Sequence, residues 1–342
     1  MAKFISSDKI FNHLDRLCAW KNDEVVYPVT VELHLSNVCN NKCFYCCADG
    51  VKDSKVMTKA ETKKAIEYVK SIDAKAIIFS GGGEPSVSPF FEDALYYAEG
   101  LDIGVISNGV ALDSQKQDTI LKTCKWLRIS FDADNEELYT KIRGTHSFNI
   151  VKSHISEILE RKETSKSNCT IGLQIVVNKY NFSRVREIAY WMSKTFPTID
   201  YIQVRPVEMK INEDGYSLNE LQEIEPQLKL LRKMSKVIVS DKRDLFFGKK
   251  EFGFTKCHCA EFIGAIDAYG DYYLCCHTIK YPRYKYLNVF SDDNLIAKRI
   301  DVLNKLPNRG LDPRICFLGC RGSNINRRLE GLIKETEHGN FL

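Results

Sequence analysis

Three closely spaced cysteines carry the clearest chemical signal in the chain. Cys39, Cys43 and Cys46 have the spacing C-x3-C-x2-C and follow an apolar run at 29–35. One short loop with this spacing can supply three thiolates to an iron–sulfur cube, whose full complement is four cysteines. One iron then keeps an open coordination position, as the metal of a catalytic site does. An open iron can bind a small molecule and pass it an electron.

The spacing resembles that of the radical S-adenosylmethionine (SAM) superfamily. The resemblance implies that SAM binds the fourth iron of a [4Fe–4S] cluster through its amino and carboxylate groups. It also implies reductive cleavage of SAM to a 5′-deoxyadenosyl radical, which takes a hydrogen atom from a substrate. Tyr45, the aromatic residue before the third cysteine, is then expected near the adenine. Cys47 lies outside the spacing and is interpreted as a small packed residue, with a substitute ligand as the alternative.

A glycine-rich turn supports this interpretation. Gly82, Gly83, Glu84 and Pro85 follow a predicted strand at 76–80, and glycines let a backbone approach a ligand closely. The Glu84 carboxylate or nearby backbone carbonyls can accept hydrogen bonds from an ammonium group. The radical SAM family has Gly-Gly-Glu-Pro at this place, where it binds the SAM amino group. The turn has no purpose in a zinc site or among buried thiols, which are the alternatives for the three cysteines.

Polar residues end the next two predicted strands. Asn108 lies in a Ser-Asn-Gly sequence after the third strand, and the family often has such a motif near the SAM ribose and methionine. Ser130 and Asp132 end the fourth strand, and similar enzymes often use this serine for polar contacts with SAM. These residues are therefore expected beside the cofactor.

Arg143 and its neighbour Gly144 resemble a frequent Arg-Gly pair of the family. Arg143 either pairs with the SAM carboxylate or is an ordinary surface or capping residue. Gln174 and Arg205 are expected in the barrel or at its mouth, with a structural role as the alternative. His34, on the first strand, is interpreted as a buried histidine with its hydrogen bonds satisfied.

Strand and helix signals alternate through the first two thirds of the chain. Apolar, often β-branched strands are predicted near 29–35, 76–80, 103–107, 126–131, 170–177 and 201–205, with helices between them. Such alternation predicts a parallel sheet with helices outside it. Six units are fewer than a closed eightfold barrel needs, and a partial (β/α)6 TIM-like barrel is the core that the resemblance implies. The cysteine loop would lie at the carboxyl ends of its strands.

The two ends of the chain have their own patterns. Residues 8–21 place Ile10, Leu14, Leu17 and Cys18 on one face of a predicted helix that docks on the main domain. The regular alternation stops near 236–245, which divides the chain into an N-terminal helix (1–24), a radical SAM core (25–236) and an auxiliary domain (237–342).

A second group of cysteines lies in the C-terminal region. The arrangement of Cys259, Gly270 and Cys275, within a predicted hairpin, resembles the opening of SPASM and twitch auxiliary-cluster domains. After the adjacent Cys276, only Cys316 and Cys320 follow, fewer than a SPASM domain carries. The resemblance therefore implies a small, cysteine-rich α+β domain with one auxiliary [4Fe–4S] cluster on these four cysteines.

The auxiliary ligands have open alternatives. Cys257 also satisfies the spacing, Cys276 competes with Cys275, and His258 and His277 are adjacent to them. A structural zinc ion is the alternative to the cluster, because zinc takes a similar ligand set.

The chain is expected to be cytosolic. Its 13 cysteines indicate metal or redox chemistry there, since disulfides are rare in that compartment. Cys18, Cys124 and Cys169 stand alone and are interpreted as small core residues. The net charge of +4 gives no electrostatic argument for nucleic-acid or membrane binding. The N-terminus lacks the apolar core of a signal peptide, and no run approaches the length of a membrane span.

An auxiliary cluster offers an acceptor for an electron from the substrate radical. Two-electron oxidation of a small polar substrate, a sugar or nucleotide-linked sugar, follows from such an acceptor. A cysteine or tyrosine hydrogen donor would instead give epimerisation, and loss of a leaving group would give deoxygenation. The resemblance implies flavodoxin or ferredoxin as the electron donor. Maturation of a ribosomal peptide by radical C–H chemistry is the alternative, and the missing SPASM cysteines count against it. A non-catalytic zinc or iron–sulfur protein ranks last.

Overall fold

The computed structural model describes most of the chain. The described residues are 7–48, 53–207, 209–210, 218–240, 254–279, 281–291, 298, 300–301, 311–313, 317–318 and 322–333. Of the predicted cluster ligands, Cys316 and Cys320 lie outside them. No helix in the described part of the chain is long and apolar enough to cross a membrane.

Six parallel strands in chain order form the centre of a ten-stranded sheet. They are β1 (Thr30–His34), β2 (Ala76–Ser80), β3 (Asp102–Ser107), β4 (Trp126–Ser130), β5 (Thr170–Val177) and β6 (Tyr201–Pro206). All six coincide with the apolar runs that predicted them. Because these strands are parallel, their carboxyl ends lie along one edge of the sheet, and the loops after them share that edge.

Helices connect these strands. They are α1 (Leu14–Lys21), α2 (Lys59–Ser71), α3 (Phe91–Tyr97), α4 (Ser114–Thr123), α5 (Glu136–Arg143), α6 (Phe148–Ser165), α7 (Val185–Thr195), α8 (Leu218–Leu231), α9 (Cys259–Phe262) and α10 (Ser323–Ile333). A capping box formed by Thr58 and Glu61 opens α2. Helix α3 begins at Phe91, after a 3-10 turn at Pro85–Val87.

The helices pack on one face of the sheet. Alternate residues such as Ile77, Phe79 and Leu173 share one hydrophobic core with Val69 of α2 and Ile188 of α7. Burial of each such side chain stabilises the fold by roughly 1.5–3 kcal/mol. A single helical layer over parallel strands is the arrangement of a barrel wall rather than of a doubly wound sheet. The predicted partial barrel is confirmed.

Strands from the C-terminal region extend the sheet at both edges. They are β8 (Val237–Val239), β9 (Ile263–Ile266), β10 (Asp271–Tyr273) and β11 (Lys285–Asn288). The short strands β7 (Met209–Lys210) and β12 (Phe317–Leu318) pair antiparallel with each other in a separate two-stranded sheet. Strand β8 pairs parallel with β6, and β9 pairs parallel with β1. The predicted hairpin is formed by β9 and β10, with Gly270 at a φ of +80° in its turn. The domain boundary at residues 236/237 stays a prediction, since β8 and β9 join the core sheet.

The N-terminal segment packs differently from its predicted face. Leu14 is 63% exposed and Cys18 is exposed, because residues 7–12 form a 3-10 helix that changes the helical phase before α1. The buried cluster here comprises Ile10, Leu17, Trp20, Val26, Phe262 and Leu329. The core interpretation of Cys18 is therefore wrong, whereas Cys124 and Cys169 are buried as predicted.

Candidate active site

The cysteine loop is joined to the glycine-rich turn by backbone hydrogen bonds. The amide of Gly83 donates to the Ser36 carbonyl at 2.9 Å, and the amide of Glu84 donates to the Val38 carbonyl at 2.9 Å. A Cβ atom on Gly83 would lie 2.0 Å from the Val38 carbonyl oxygen. Glycine is therefore required here for the close approach of the two segments, immediately before Cys39.

The end of helix α5 contacts the other side of the cysteine loop. The amides of Lys42 and Phe44 donate to the carbonyls of Arg143 and Ile142, at 2.8 and 3.3 Å, at the end of α5. Gly144 caps α5 in the left-handed region, at a φ of +69°. A Cβ atom on it would lie 2.6 Å from the Lys42 carbonyl oxygen. The left-handed backbone of Gly144 and its close packing against the cysteine loop therefore explain why glycine follows Arg143.

Glu84 ties the turn after β2 to the turn after β3. Its carboxylate accepts from the Ser86 amide and hydroxyl at 3.2 and 2.6 Å, and from the Ser107 hydroxyl at 2.7 Å. The Asn108 amide donates to its other oxygen at 2.7 Å. Burial raises the pKa of Glu84, and these hydrogen bonds oppose that rise. The pattern makes Glu84 a brace between the two turns.

Asn108 reaches the cysteine loop. Its side-chain amide donates to Asn40 Oδ1 at 2.6 Å and lies 3.8 Å from Cys39 Sγ. Ser130 ends β4 and pairs in register with Gln174 of β5. The structure therefore brings Asn108 to the predicted ligands, while Ser130 lies at the carboxyl end of its own strand.

Tyr45, Asp132 and Arg143 form a buried cluster behind the loop. The Tyr45 hydroxyl donates to Asp132 at 2.6 Å, and the Arg143 guanidinium pairs with the same carboxylate oxygen at 2.5 Å. That guanidinium lies 5.6 Å from the Tyr45 ring centroid, and its Nη1 is 3.5 Å from Cys43 Sγ. Arg143 is 5% exposed, so the surface interpretation of Arg143 is wrong.

Gly82 contacts the first strand. Its amide lies 3.1 Å from His34 Nδ1, and His34 Nε2 lies 3.2 Å from Glu32 Oε1. His34 is buried with both ring nitrogens bonded, as predicted. Pro85 is the first residue of the 3-10 turn whose N-cap is Glu84.

The surroundings of the three thiols fit an anionic cluster. The described residues contain no group of three Cys, His, Asp or Glu side chains that could hold a metal ion, but a cubane binds each thiolate on a different iron. Cys39, Cys43 and Cys46 are free thiols of intermediate exposure. Two N–H donors, from Asn108 and Arg143, point at two of their sulfurs. Arg143 Nε is buried without a hydrogen-bond partner among the described residues.

The inner face of the barrel is polar. Arg128, Gln203 and Arg205 alternate with core residues of β4 and β6, so they lie on the face away from the helices. Arg128 Nη1 donates to Gln203 Oε1 at 3.0 Å across β5. Gln174, on β5, is 4% exposed, and its Oε1 has no hydrogen-bond partner among the described residues. A buried carboxamide oxygen without a hydrogen-bond partner is costly, so this oxygen is available to accept a hydrogen bond on the inner face.

The second cysteine group lies beside the hairpin. Cys259 is 1% exposed and Cys275 is 6% exposed. Asn326 of α10, fully buried, accepts from the Cys259 amide at 2.7 Å and donates to Cys257 Sγ at 3.2 Å. Because Cys316 and Cys320 lie outside the described residues, the auxiliary ligand set stays a prediction.

Sequence reasoning missed several of these contacts. Asn326 gives no signal in the sequence, because it lies about seventy positions from the cysteines that it joins. The sequence did contain a signal for Arg128 and Gln203. Each is a polar residue between two apolar neighbours in its strand, which indicates a position on the face opposite the core.

Comparison with known proteins gives consistent results. Residues 33–189 match the sequence profile described as "Radical SAM superfamily". The chain is 25% identical over 311 residues to a "Probable GTP 3′,8-cyclase" of Methanococcus aeolicus, covering 87% of this chain and 95% of that protein. It is 22% identical over 281 residues to "Mycofactocin maturase MftC" of Mycobacterium tuberculosis, covering 78% of this chain and 68% of that protein.

Solved structures share the fold. SuiB of Streptococcus suis bound to S-adenosylmethionine superposes with a TM-score of 0.61 at 15% identity, covering 83% of this chain and 68% of that one. Native anSMEcpe with bound AdoMet also gives 0.61 at 15% identity, covering 88% and 95%. The family binds a [4Fe–4S] cluster and SAM, and its motifs lie within the matched residues. The chain therefore contains a radical SAM domain at residues 33–189.

Proposed function

We propose that this enzyme holds its SAM-binding cluster on Cys39, Cys43 and Cys46 and modifies a peptide by radical C–H chemistry. The observation that carries the cluster assignment is the loop itself, which is fastened on both sides by backbone hydrogen bonds and faced by two N–H donors. When bound, the cluster and SAM supply a one-electron reduction and a hydrogen-abstracting radical. The protein supplies position and charge.

The residues around the loop have distinct proposed roles toward SAM. Glu84 is occupied by four protein donors, so the backbone carbonyls at Gly82 and Gly83 are the better acceptors for the SAM ammonium group. Arg143 is a buried cation whose Nη1 lies 3.5 Å from Cys43 Sγ, and its Nε is available, which suits the SAM carboxylate. Tyr45 presents its ring to the adenine, and Asn108 and Ser130 bind the ribose and methionine portions.

The peptide is favoured by the relatives and by the lining of the barrel. MftC is named as a maturase, and SuiB has been solved bound to the precursor peptide SuiA. The inner face offers the carboxamides of Gln174 and Gln203 and the guanidinium of Arg128. Carboxamides pair with peptide amides through one donor and one acceptor, and guanidinium pairs with a carboxylate. The sugar substrate expected from the sequence finds less support in these comparisons than the peptide does.

A nucleotide is the second candidate. The relative named as a probable GTP 3′,8-cyclase is matched along 95% of its length, and two arginines, Arg128 and Arg205, lie on the inner face of the barrel. Arginine is well suited to phosphate.

We also propose an auxiliary cluster on Cys259, Cys275, Cys316 and Cys320. Cys257 is the alternative first ligand. The Asn326 amide donates to its sulfur at 3.2 Å, and hydrogen bonds to ligand sulfurs tune cluster potentials. This contact supports Cys257 as a ligand.

The substrate class is tested by 5′-deoxyadenosine formation. The reconstituted enzyme is incubated anaerobically with SAM and dithionite, together with synthetic peptides encoded beside its gene, with GTP, or with a nucleotide-sugar panel. We expect the peptides to raise the rate above the substrate-free rate. Stimulation by GTP alone would favour the second candidate, and stimulation by the sugars alone would restore the interpretation made from sequence.

A further inference from the structure

The outer side of the cysteine loop carries exposed aromatic rings. Phe44, between two predicted cluster ligands, is 44% exposed, and Tyr180 after β5 is 41% exposed. Their ring centroids are 4.9 Å apart in an edge-to-face arrangement with an interplanar angle of 71°. The neighbouring Tyr45 points the other way, toward Asp132. The loop therefore presents one aromatic residue to the interior and one to solvent.

One lysine lies over both rings, and a second belongs to the same loop. The ammonium of Lys179 lies 5.3 Å from the Phe44 ring centroid and 5.0 Å from that of Tyr180. Lys42 and Lys179 are both exposed, and neither has an ion-pair partner among the described residues. We call Phe44, Tyr180, Lys42 and Lys179 the aromatic–lysine patch.

The neighbouring acidic side chains are paired with other cations and do not neutralise the lysines of the patch. The acidic residue on this side of α5, Glu137, is paired with Lys141 at 2.8 Å. Arg184 holds Asp134 at 2.8 Å and Glu187 at 3.1 Å. The two patch lysines are thus left to attract an acidic surface.

We propose that the aromatic–lysine patch is the docking site of an acidic one-electron carrier that reduces the SAM-binding cluster. The inference rests on the proposed cluster at Cys39, Cys43 and Cys46. One electron leaves the reduced flavin or iron–sulfur centre of the carrier and enters the cluster, and no proton or group moves with it.

Three features favour this partner. Lys42 and Phe44 of the patch flank the predicted ligand Cys43 in the chain, so a docked carrier comes close to the electron acceptor. A small apolar centre with a charged rim is typical of weak redox encounters, which bury less area than stable complexes. Opposite charges steer such encounters and raise their association rates. An acidic carrier meets all three conditions.

The test compares two reductants. Cluster reduction is followed anaerobically, by absorbance and by electron paramagnetic resonance, with reduced acidic flavodoxin and separately with dithionite. The variant is Lys179→Glu with Tyr180→Ser, and Lys179→Glu alone guards against a folding defect. We expect the second-order rate constant with flavodoxin to fall about tenfold and to lose much of its salt dependence. The rate with dithionite and the iron content stay at wild-type values.

A matched control lies elsewhere on the surface. Tyr190 on α7 is 56% exposed, with the Lys194 ammonium 5.5 Å from its ring centroid. Lys194→Glu with Tyr190→Ser should leave both rates unchanged. Wild-type flavodoxin rates in the patch variants would overturn the proposal, as would an equal loss with dithionite. Failure of wild-type SAM cleavage with dithionite would instead contradict the proposed function.

Discussion

The cysteine loop at 39–46 lies at the carboxyl edge of parallel strands, whereas Cys259 and Cys275 flank a hairpin at the margin of the same sheet. The first loop is held by backbone bonds from two segments, and two glycines permit that approach. In the second region, the Asn326 side chain joins Cys257 and Cys259. An antiparallel bridge joins Cys257 to Leu311, and the Cys275 amide donates to the Thr278 hydroxyl. The difference is one of access. The first group is partly exposed and can receive an electron and a ligand, while the second is buried and suits a closed cluster.

Removing the close approach at Gly83 has the largest expected effect. Gly83→Ala puts a Cβ against the Val38 carbonyl, so the loop and the turn must separate. We expect the free energy of unfolding to fall by about 2–4 kcal/mol and SAM cleavage to be lost. The control is Gly331→Ala on α10, where a Cβ meets nothing within 4 Å and stability should rise by about 0.5–1 kcal/mol. Thermal and denaturant unfolding measure both.

Asn326 tests the second region. Asn326→Ala leaves the buried Cys259 amide without its acceptor, so we expect a loss of about 1–3 kcal/mol and a shifted potential of the auxiliary cluster only. Asn324→Ala, which removes an exposed contact with Arg327, should stay within about 0.5 kcal/mol. A shift in the potential of the SAM-binding cluster would show that the two regions are not separate. Redox titration distinguishes them.

Tyr45 tests the interior side of the first loop. Tyr45→Phe keeps the ring and removes the hydrogen bond to Asp132, which we expect to cost about 1 kcal/mol. SAM affinity, measured by calorimetry on the anaerobic enzyme, should fall several-fold. Tyr190→Phe on the exposed face of α7 should leave both stability and SAM affinity unchanged. An equal effect of Tyr190→Phe would show that the Tyr45 hydroxyl has no specific role at the loop.

Thiol reactivity gives the smallest and most local contrast. Burial raises the pKa of Cys169 to about 12, so only about one thiol in ten thousand is ionised at pH 8. Iodoacetamide should alkylate the exposed Cys18 and spare Cys169 and Cys124, as read by mass spectrometry of the cluster-loaded enzyme. Raising the pH increases the thiolate fraction of Cys169. Rapid labelling of Cys169 at pH 8 would contradict its burial.

The barrel was predictable because its strands are short apolar runs separated by helices, and the matched motifs fall at their carboxyl ends. The positions of Glu84 and Arg143 were predictable, but their protein partners were not, since Ser107 and Asp132 reach them from other strands. The face of α1 was mispredicted because a 3-10 helix shifted its phase.

The most direct test of the account is a parallel count of iron, sulfide and 5′-deoxyadenosine in three proteins. Wild type should hold about eight irons after reconstitution and cleave SAM with dithionite. The variant with alanine at Cys39, Cys43 and Cys46 should lose about four irons and all cleavage, whereas alanine at Cys259 and Cys275 should lose about four irons and keep substrate-free cleavage. Cleavage that survives without Cys39, Cys43 and Cys46, or zinc without sulfide in wild type, would contradict the account.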